Sequence, residues 1–112
     1  MADADAIKKL KLEFRNSQKM LTAFGDEGRQ NLLMLMIMEN CKEMRAAELA
    51  EKTNLSRPAI SHHMQILRDA GIVKCRKDGK YIYYFLNSGG HQLDLLLELF
   101  QDMKHQIEKI IT

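Results

Sequence analysis

Residues 46–86 read AAELAEKTNLSRPAISHHMQILRDAGIVKCRKDGKYIYYFL, and this stretch decides the fold. Arg45 to Thr53 has the pattern of a short helix. Thr53-Asn54-Leu55 breaks it, and Asn54 suits the left-handed backbone position that ends helices. Ser56 is a good N-cap, because its hydroxyl can accept a free first-turn N–H. Pro58 falls in that first turn, where its missing N–H costs nothing. The second helix ends at Gly71. Ile72 to Lys77 and Lys80 to Leu86 are rich in β-branched and aromatic residues, and Asp78-Gly79 between them is a strong signal for a two-residue hairpin turn. Helix, sharp turn, helix and hairpin, in that order, predict a winged helix-turn-helix: mainly α with a small β-hairpin.

The second helix of this unit divides cleanly. At about 100° per residue, Arg57, Pro58, Ser61, His62, Gln65, Arg68 and Asp69 share one side. Ala59, Ile60, His63, Met64, Ile66, Leu67 and Ala70 share the other, so His63 is expected to be a packed, hydrogen-bonded histidine. The polar side carries long donors and short hydroxyls of the kind that read base edges and phosphates in a major groove. N-terminal residues of a reading helix enter deepest, so Arg57 and Ser61 are the candidates for base contact. Gln65 comes next, Arg68 is placed for a phosphate, and Ser56 and His62 lie at the rim. On the wing, Arg76, Lys77 and Lys80 surround the tip and suit backbone phosphates or the minor groove. Tyr81, Tyr83 and Phe85 alternate with Ile82, Tyr84 and Leu86, and most of these should pack the wing onto the body.

Outside this unit the chain is predicted to be helical. Ile7, Leu10, Phe14, Leu21 and Phe24 fall on one face of a helix running from about Asp5 to Phe24. Gly25 is its expected stop and Asp26 the N-cap of the next helix, which runs to about Asn40. Leu32 to Met38 make that helix apolar over most of its surface, so it is expected to be central, with its methionines as core filler. Asn87-Ser88-Gly89-Gly90 ends the wing, and a last helix spans about His91 to Ile110.

The 112 residues favour one domain, 1–112. Net charge is only +2, but it is unevenly distributed. Residues 56–81 hold six basic and two acidic groups, whereas residues 25–55 and 89–112 are each net negative. Positive charge therefore sits on the segment read as a DNA reader. The longest apolar run, Leu32 to Met38, is too short for a bilayer, which needs ~20 residues. The charged N-terminal pattern does not read as a signal peptide. No membrane partner and a cytoplasmic location are the expectations. Cys41 and Cys75 form no C-x-x-C pair and are expected to be free thiols packed as small apolar groups. No Gly-rich phosphate loop, G-x-S-x-G, H-E-x-x-H or paired catalytic carboxylate motif occurs, so an enzyme is not expected.

With these residues in place, the chain resembles the ArsR family of small bacterial winged-helix repressors. The resemblance rests on Phe24-Gly25-Asp26-Glu27-Gly28-Arg29, Ala47-Glu48-Leu49-Ala50 and Leu55-Ser56-Arg57-Pro58-Ala59-Ile60-Ser61-His62-His63. Leu67-Arg68-Asp69-Ala70-Gly71-Ile72-Val73 and Asp78-Gly79-Lys80-Tyr81-Ile82-Tyr83-Tyr84 complete it. Arg45 and Asn54 depart from the family's usual small hydroxyl and glycine. The resemblance implies a homodimer built from the first and last helices. The wide apolar arc of the last helix (Leu93, Leu95, Leu96, Leu97, Leu99, Phe100, Met103, Ile107, Ile111) supports a partner independently, since it exceeds what one small core uses. Two copies would set their reading helices roughly 34 Å apart, one turn of duplex DNA. The expected function is a sequence-specific DNA-binding regulator, a repressor, on an inverted-repeat operator. The alternative is a winged-helix module that binds protein rather than DNA. It would need an apolar or acidic patch where Arg57, Arg68, Arg76, Lys77 and Lys80 lie.

Relatives that sense metals use cysteines in the first helix of the helix-turn-helix or Asp, His and Glu on the last helix. The first set is absent from Arg45 to Thr53. Of the second, His105 and Glu108 match at the right spacing, with Asp94 nearest to a further ligand. Asp94 and His105 are about 16 Å apart along one helix, so only an antiparallel partner could bring them to one ion. A plain solvated face looks the same, and no metal or other cofactor is assigned.

Overall fold

A computed structural model describes residues 3–40 and 43–111 of the chain; Cys41 lies outside the described residues. The elements run α1 (Ala4–Asn16), α2 (Gln18–Phe24), α3 (Glu27–Met38), β1 (Met44–Arg45), α4 (Ala46–Thr53), α5 (Arg57–Asp69), β2 (Val73–Asp78), β3 (Tyr81–Leu86) and α6 (Gln92–Ile111). The helix expected over Asp5–Phe24 is two helices. Ser17, 2% exposed, leaves helical geometry, and its N–H and the Gln18 amide both donate to the Phe14 carbonyl. Beyond the break α2 buries Met20 and Ala23, whereas α1 buries no residue and lies along α6.

Asp26 caps α3 by accepting the Arg29 N–H at 3.0 Å. The expectation that α3 is central and buried holds for one side only. Leu32, Leu33 and Met36 are buried, but Met34, Ile37 and Met38 are 54%, 52% and 73% exposed. α3 packs on α2 and α5, and a helix with neighbours on one side keeps one face in solvent. It also stops at Met38, two residues early, with Asn40 at φ 63°.

The helix-turn-helix forms where the sequence places it. Asn54 is left-handed (φ 57°, ψ 19°). Ser56 Oγ accepts the Ala59 N–H at 3.2 Å. At the start of α4, where a small hydroxyl is missing, the Glu48 carboxylate accepts the Arg45 N–H at 3.2 Å instead. Leu49, Ile60, Met64, Leu67 and Leu99 are fully buried, so α4, α5 and α6 share one core with α3. Gly71, at φ 76°, lets the chain reverse from α5 into β2.

The sheet has three strands in the order β1-β3-β2, all antiparallel. The two-residue β1, which pairs Met44 with Tyr84 and Arg45 with Tyr83, has no sequence periodicity to announce it. The hairpin turn is shifted by one residue from its expected place. Asp78 pairs with Tyr81, so the loop is Gly79-Lys80. Only Gly79 takes positive φ (60°), the pattern of a type II′ turn with glycine at its first position. Cys75 is a free, half-buried thiol packed against the core.

Candidate nucleic-acid interface

All nine residues singled out for DNA contact, Ser56, Arg57, Ser61, His62, Gln65, Arg68, Arg76, Lys77 and Lys80, are exposed. The first six lie on α5 or its cap. The split of α5 is the one its sequence predicts, with Ile60, Met64 and Leu67 buried on the opposite side. Gln65 donates to Asp69 Oδ1 at 2.9 Å and lies 3.5 Å from Arg68 Nη1 through its own carbonyl oxygen. This exposed row holds Gln65 in place, so reading a base with it requires exchanging those partners. Arg57 and Ser61 make no side-chain hydrogen bond among the described residues and stand free for a base edge.

The wing is less uniformly cationic than its sequence suggests. Arg76 stacks over the Tyr83 ring, 4.3 Å from its centroid. Its Nε donates to both Glu43 oxygens at 2.7 and 2.9 Å, and its Nη2 donates to Glu43 Oε2 at 2.6 Å. That fork raises the Arg76 pKa and holds the Glu43 carboxyl below the usual carboxylate range. Arg76 is thus already paired with Glu43, whereas Lys77 and Lys80 have no carboxylate partner among the described residues. Arg45, which sequence reasoning did not select, joins the wing because β1 sets it beside β3. Its guanidinium lies 5.1 Å from the Tyr81 centroid, and Lys80 Nζ lies 5.6 Å from the same ring.

Behind α5 lies a polar joint that sequence reasoning missed. Arg29, 8% exposed, sends Nε to the Ala23 carbonyl at 2.9 Å and Nη2 to the Thr22 carbonyl at 3.0 Å. These are C-terminal carbonyls of α2, beyond the reach of its regular i to i+4 bonds, and the Thr22 carbonyl also accepts the Gly25 N–H at 3.3 Å. Its Nη1 lies 3.3 Å from Nδ1 of the half-buried His63 on α5. Asp26 Oδ2 is 3.9 Å from both side chains. The Asp26 carboxyl is held below its ordinary pKa, first by the backbone N–H of Arg29. One guanidinium therefore ties α2, α3 and α5 together. The expected hydrogen-bonded packing of His63 is what the geometry gives.

Between α1 and α6, Lys9 Nζ bridges Glu98 at 3.0 Å and Asp102 at 2.8 Å. Hydrogen bonds to Asp102 and then Glu98 raise the Lys9 pKa. Lys9, in turn, holds the Asp102 carboxyl down, while desolvation pushes Glu13 up. Among the described residues, only Glu13, Glu98 and Asp102 gather closely enough within one chain to hold an ion, and the Lys9 ammonium already lies against two of them. Asp94 lies 3.7 Å from His91, and Glu108 lies 3.8 Å from Lys104. No helix among the described residues is long and apolar enough to cross a membrane.

The profile of the family described as bacterial regulatory protein, arsR family, matches residues 26–74. The transcriptional repressor SdpR of Bacillus subtilis is 38% identical over 66 residues, 59% of this chain and 70% of that protein. The arsenical resistance operon repressor of Staphylococcus aureus is 34% identical over 76 residues, 68% of this chain and 70% of that protein. Among solved structures, reduced HlyU from Vibrio cholerae superposes with a TM-score of 0.61 at 28% identity, covering 80% of this chain and 92% of that one.

Proposed function

Because the chain belongs to the arsR family of bacterial regulatory proteins and is a DNA-binding transcriptional regulator, we propose that it acts as a homodimeric repressor on an inverted-repeat operator in the cytoplasm. The observation that carries this is the free, exposed Arg57 and Ser61 at the N-terminal end of a buried-backed helix, with Lys77 and Lys80 exposed on the wing beside it. Arg57 and Ser61 read base edges, Gln65 assists, and Ser56, His62, Arg68, Lys77 and Lys80 hold phosphates and set the register. Arg76 contributes chiefly by bracing the wing.

The dimer reading has its own support. The chain measures 57 × 24 × 23 Å, with a radius of gyration of 17.2 Å. A compact chain of this length is expected near 13 Å. α1 buries nothing, and on α6 Leu93, Leu97, Phe100, Ile107 and Ile111 form one exposed stripe beside the buried Leu96 and Leu99. A second copy covers such a stripe.

A mobility-shift assay over a salt series tests the function. Affinity for duplex should fall by orders of magnitude between ~50 and ~200 mM salt. Arg57→Ala should cost about 1–3 kcal/mol on the preferred site and relax sequence preference there. Unchanged preference would remove Arg57 from the reading position. A salt-independent affinity would instead favour a protein-binding module.

The wing gives a separate expectation. Lys77→Ala and Lys80→Ala should each reduce the salt slope by about 1. Arg76→Ala should reduce it by less, because Glu43 already neutralises that guanidinium. Equal slopes for all three would mean that the Glu43 pair opens on DNA.

A further inference from the structure

A cavity of about 400 Å³ lies where the end of the reading helix, the root of the wing and the start of α6 meet. Leu33 and Ile37 of α3, Ile72 ahead of β2, Leu86 at the end of β3 and Leu93 of α6 form its apolar walls. One end is polar, lined by Asn87, Ser88 and Gln92. Asn87 fixes that end, since its Nδ2 donates to the Gly71 carbonyl and its backbone N–H to the Ile72 carbonyl, both at 2.9 Å. The Gln92 side chain lies so close to Gly71 that a Cβ added there would stand 2.5 Å from Nε2. Among the described residues, neither the Gln92 amide nor the Ser88 hydroxyl has a hydrogen-bond partner.

We infer that this cavity binds a small, mainly apolar organic molecule with one hydrogen-bonding end, and that its occupancy is coupled to the DNA grip. The volume lies within the range of ordinary ligand sites, and the lining has their usual make-up, apolar walls with a few convergent polar groups. A second copy of the chain is the poorer occupant. The side chains that the exposed stripe of α6 offers are aliphatic or aromatic, and covering Ser88 and Gln92 with them would bury polar groups without partners. An amphiphilic molecule satisfies both ends. The coupling rests on the DNA-binding reading given above. An occupant touches Gly71 and Ile72 at the exit of α5, Leu86 at the base of the wing and Leu93 on α6. It therefore favours one relative placement of reading helix, wing and dimer helix, and by linkage DNA changes its affinity by the same factor that it changes DNA's.

The test uses N-phenyl-1-naphthylamine, an apolar fluorophore with a single N–H donor, and the full chain. The expected result is saturable binding of one probe per chain, with an affinity changed at least about fivefold by specific duplex. Ile37→Trp, which adds bulk to an apolar wall from a half-exposed position, should abolish binding. Ser88→Trp does the same from the polar end and serves if the first variant does not fold. Gln92→Leu should weaken the probe about tenfold, the equivalent of one hydrogen bond. The inference is overturned by an absence of saturable binding, by undiminished binding in both tryptophan variants, or by a probe affinity indifferent to DNA. It is also overturned if the probe is expelled as rising chain concentration drives dimerisation, since a second copy then fills the cavity. The duplex shift of the unliganded chain needs no probe, so failure of the DNA-binding reading shows separately.

Discussion

Arg29→Ala is expected to lower the unfolding free energy by about 3 kcal/mol, among the largest effects of any single polar replacement in this chain. The side chain is nearly buried and makes two charge-assisted bonds to the carbonyls of Thr22 and Ala23, besides its contact with His63. Removing it leaves the buried Ala23 carbonyl without a donor and the Thr22 carbonyl with only the Gly25 N–H at 3.3 Å, in a place that water reaches poorly, so a desolvation cost follows. Arg29→Lys should recover only part of the loss, because an ammonium cannot reproduce the planar fork that reaches two carbonyls and an imidazole together. Urea unfolding at fixed chain concentration measures this, with Arg57→Ala as the exposed control expected within about 0.5 kcal/mol of the parent. A midpoint for Arg29→Ala that matches the control would mean the joint is not structural.

Phe100→Asp is expected to convert a dimeric chain to a monomer and to weaken operator binding by about 10²–10⁴-fold. Phe100 is 42% exposed in the middle of the stripe that Leu93, Leu97, Ile107 and Ile111 extend. A carboxylate there can stay hydrated in the single chain, but has to be desolvated when the stripe is covered. The loss on DNA follows from bivalency, since two linked reading helices bind far more tightly than either alone. Light scattering after size exclusion reads the mass, and the shift assay reads the affinity. Leu97→Asp, 58% exposed, repeats the test at a second position. If both variants stay dimeric with undiminished DNA binding, the stripe is not the dimer face.

These expectations draw differently on the sequence. Asn54, the Ser56 cap, Pro58 and the two-sided pattern of α5 are local signals, acting over one or two helical turns, and they formed the helix-turn-helix as read. The concentration of charge on residues 56–81 was equally visible. The hairpin itself was legible, but its turn was misplaced by one residue. Asp78-Gly79 and Gly79-Lys80 are both acceptable locally, and pairing along the whole of β2 and β3 chooses between them.

By itself, the sequence determined the winged helix-turn-helix, the polar, exposed face of α5 and the family the chain belongs to, because caps, breaks and periodicities act between near neighbours. Only the tertiary structure decided the rest. It broke the first helix at Ser17, set β1 beside β3, locked Arg76 onto Glu43, seated Arg29 against α2 and His63, and separated the covered from the uncovered residues of α3 and α6. Each of these depends on partners distant along the chain or on which surface a neighbour reaches, and the order of residues in one segment carries neither.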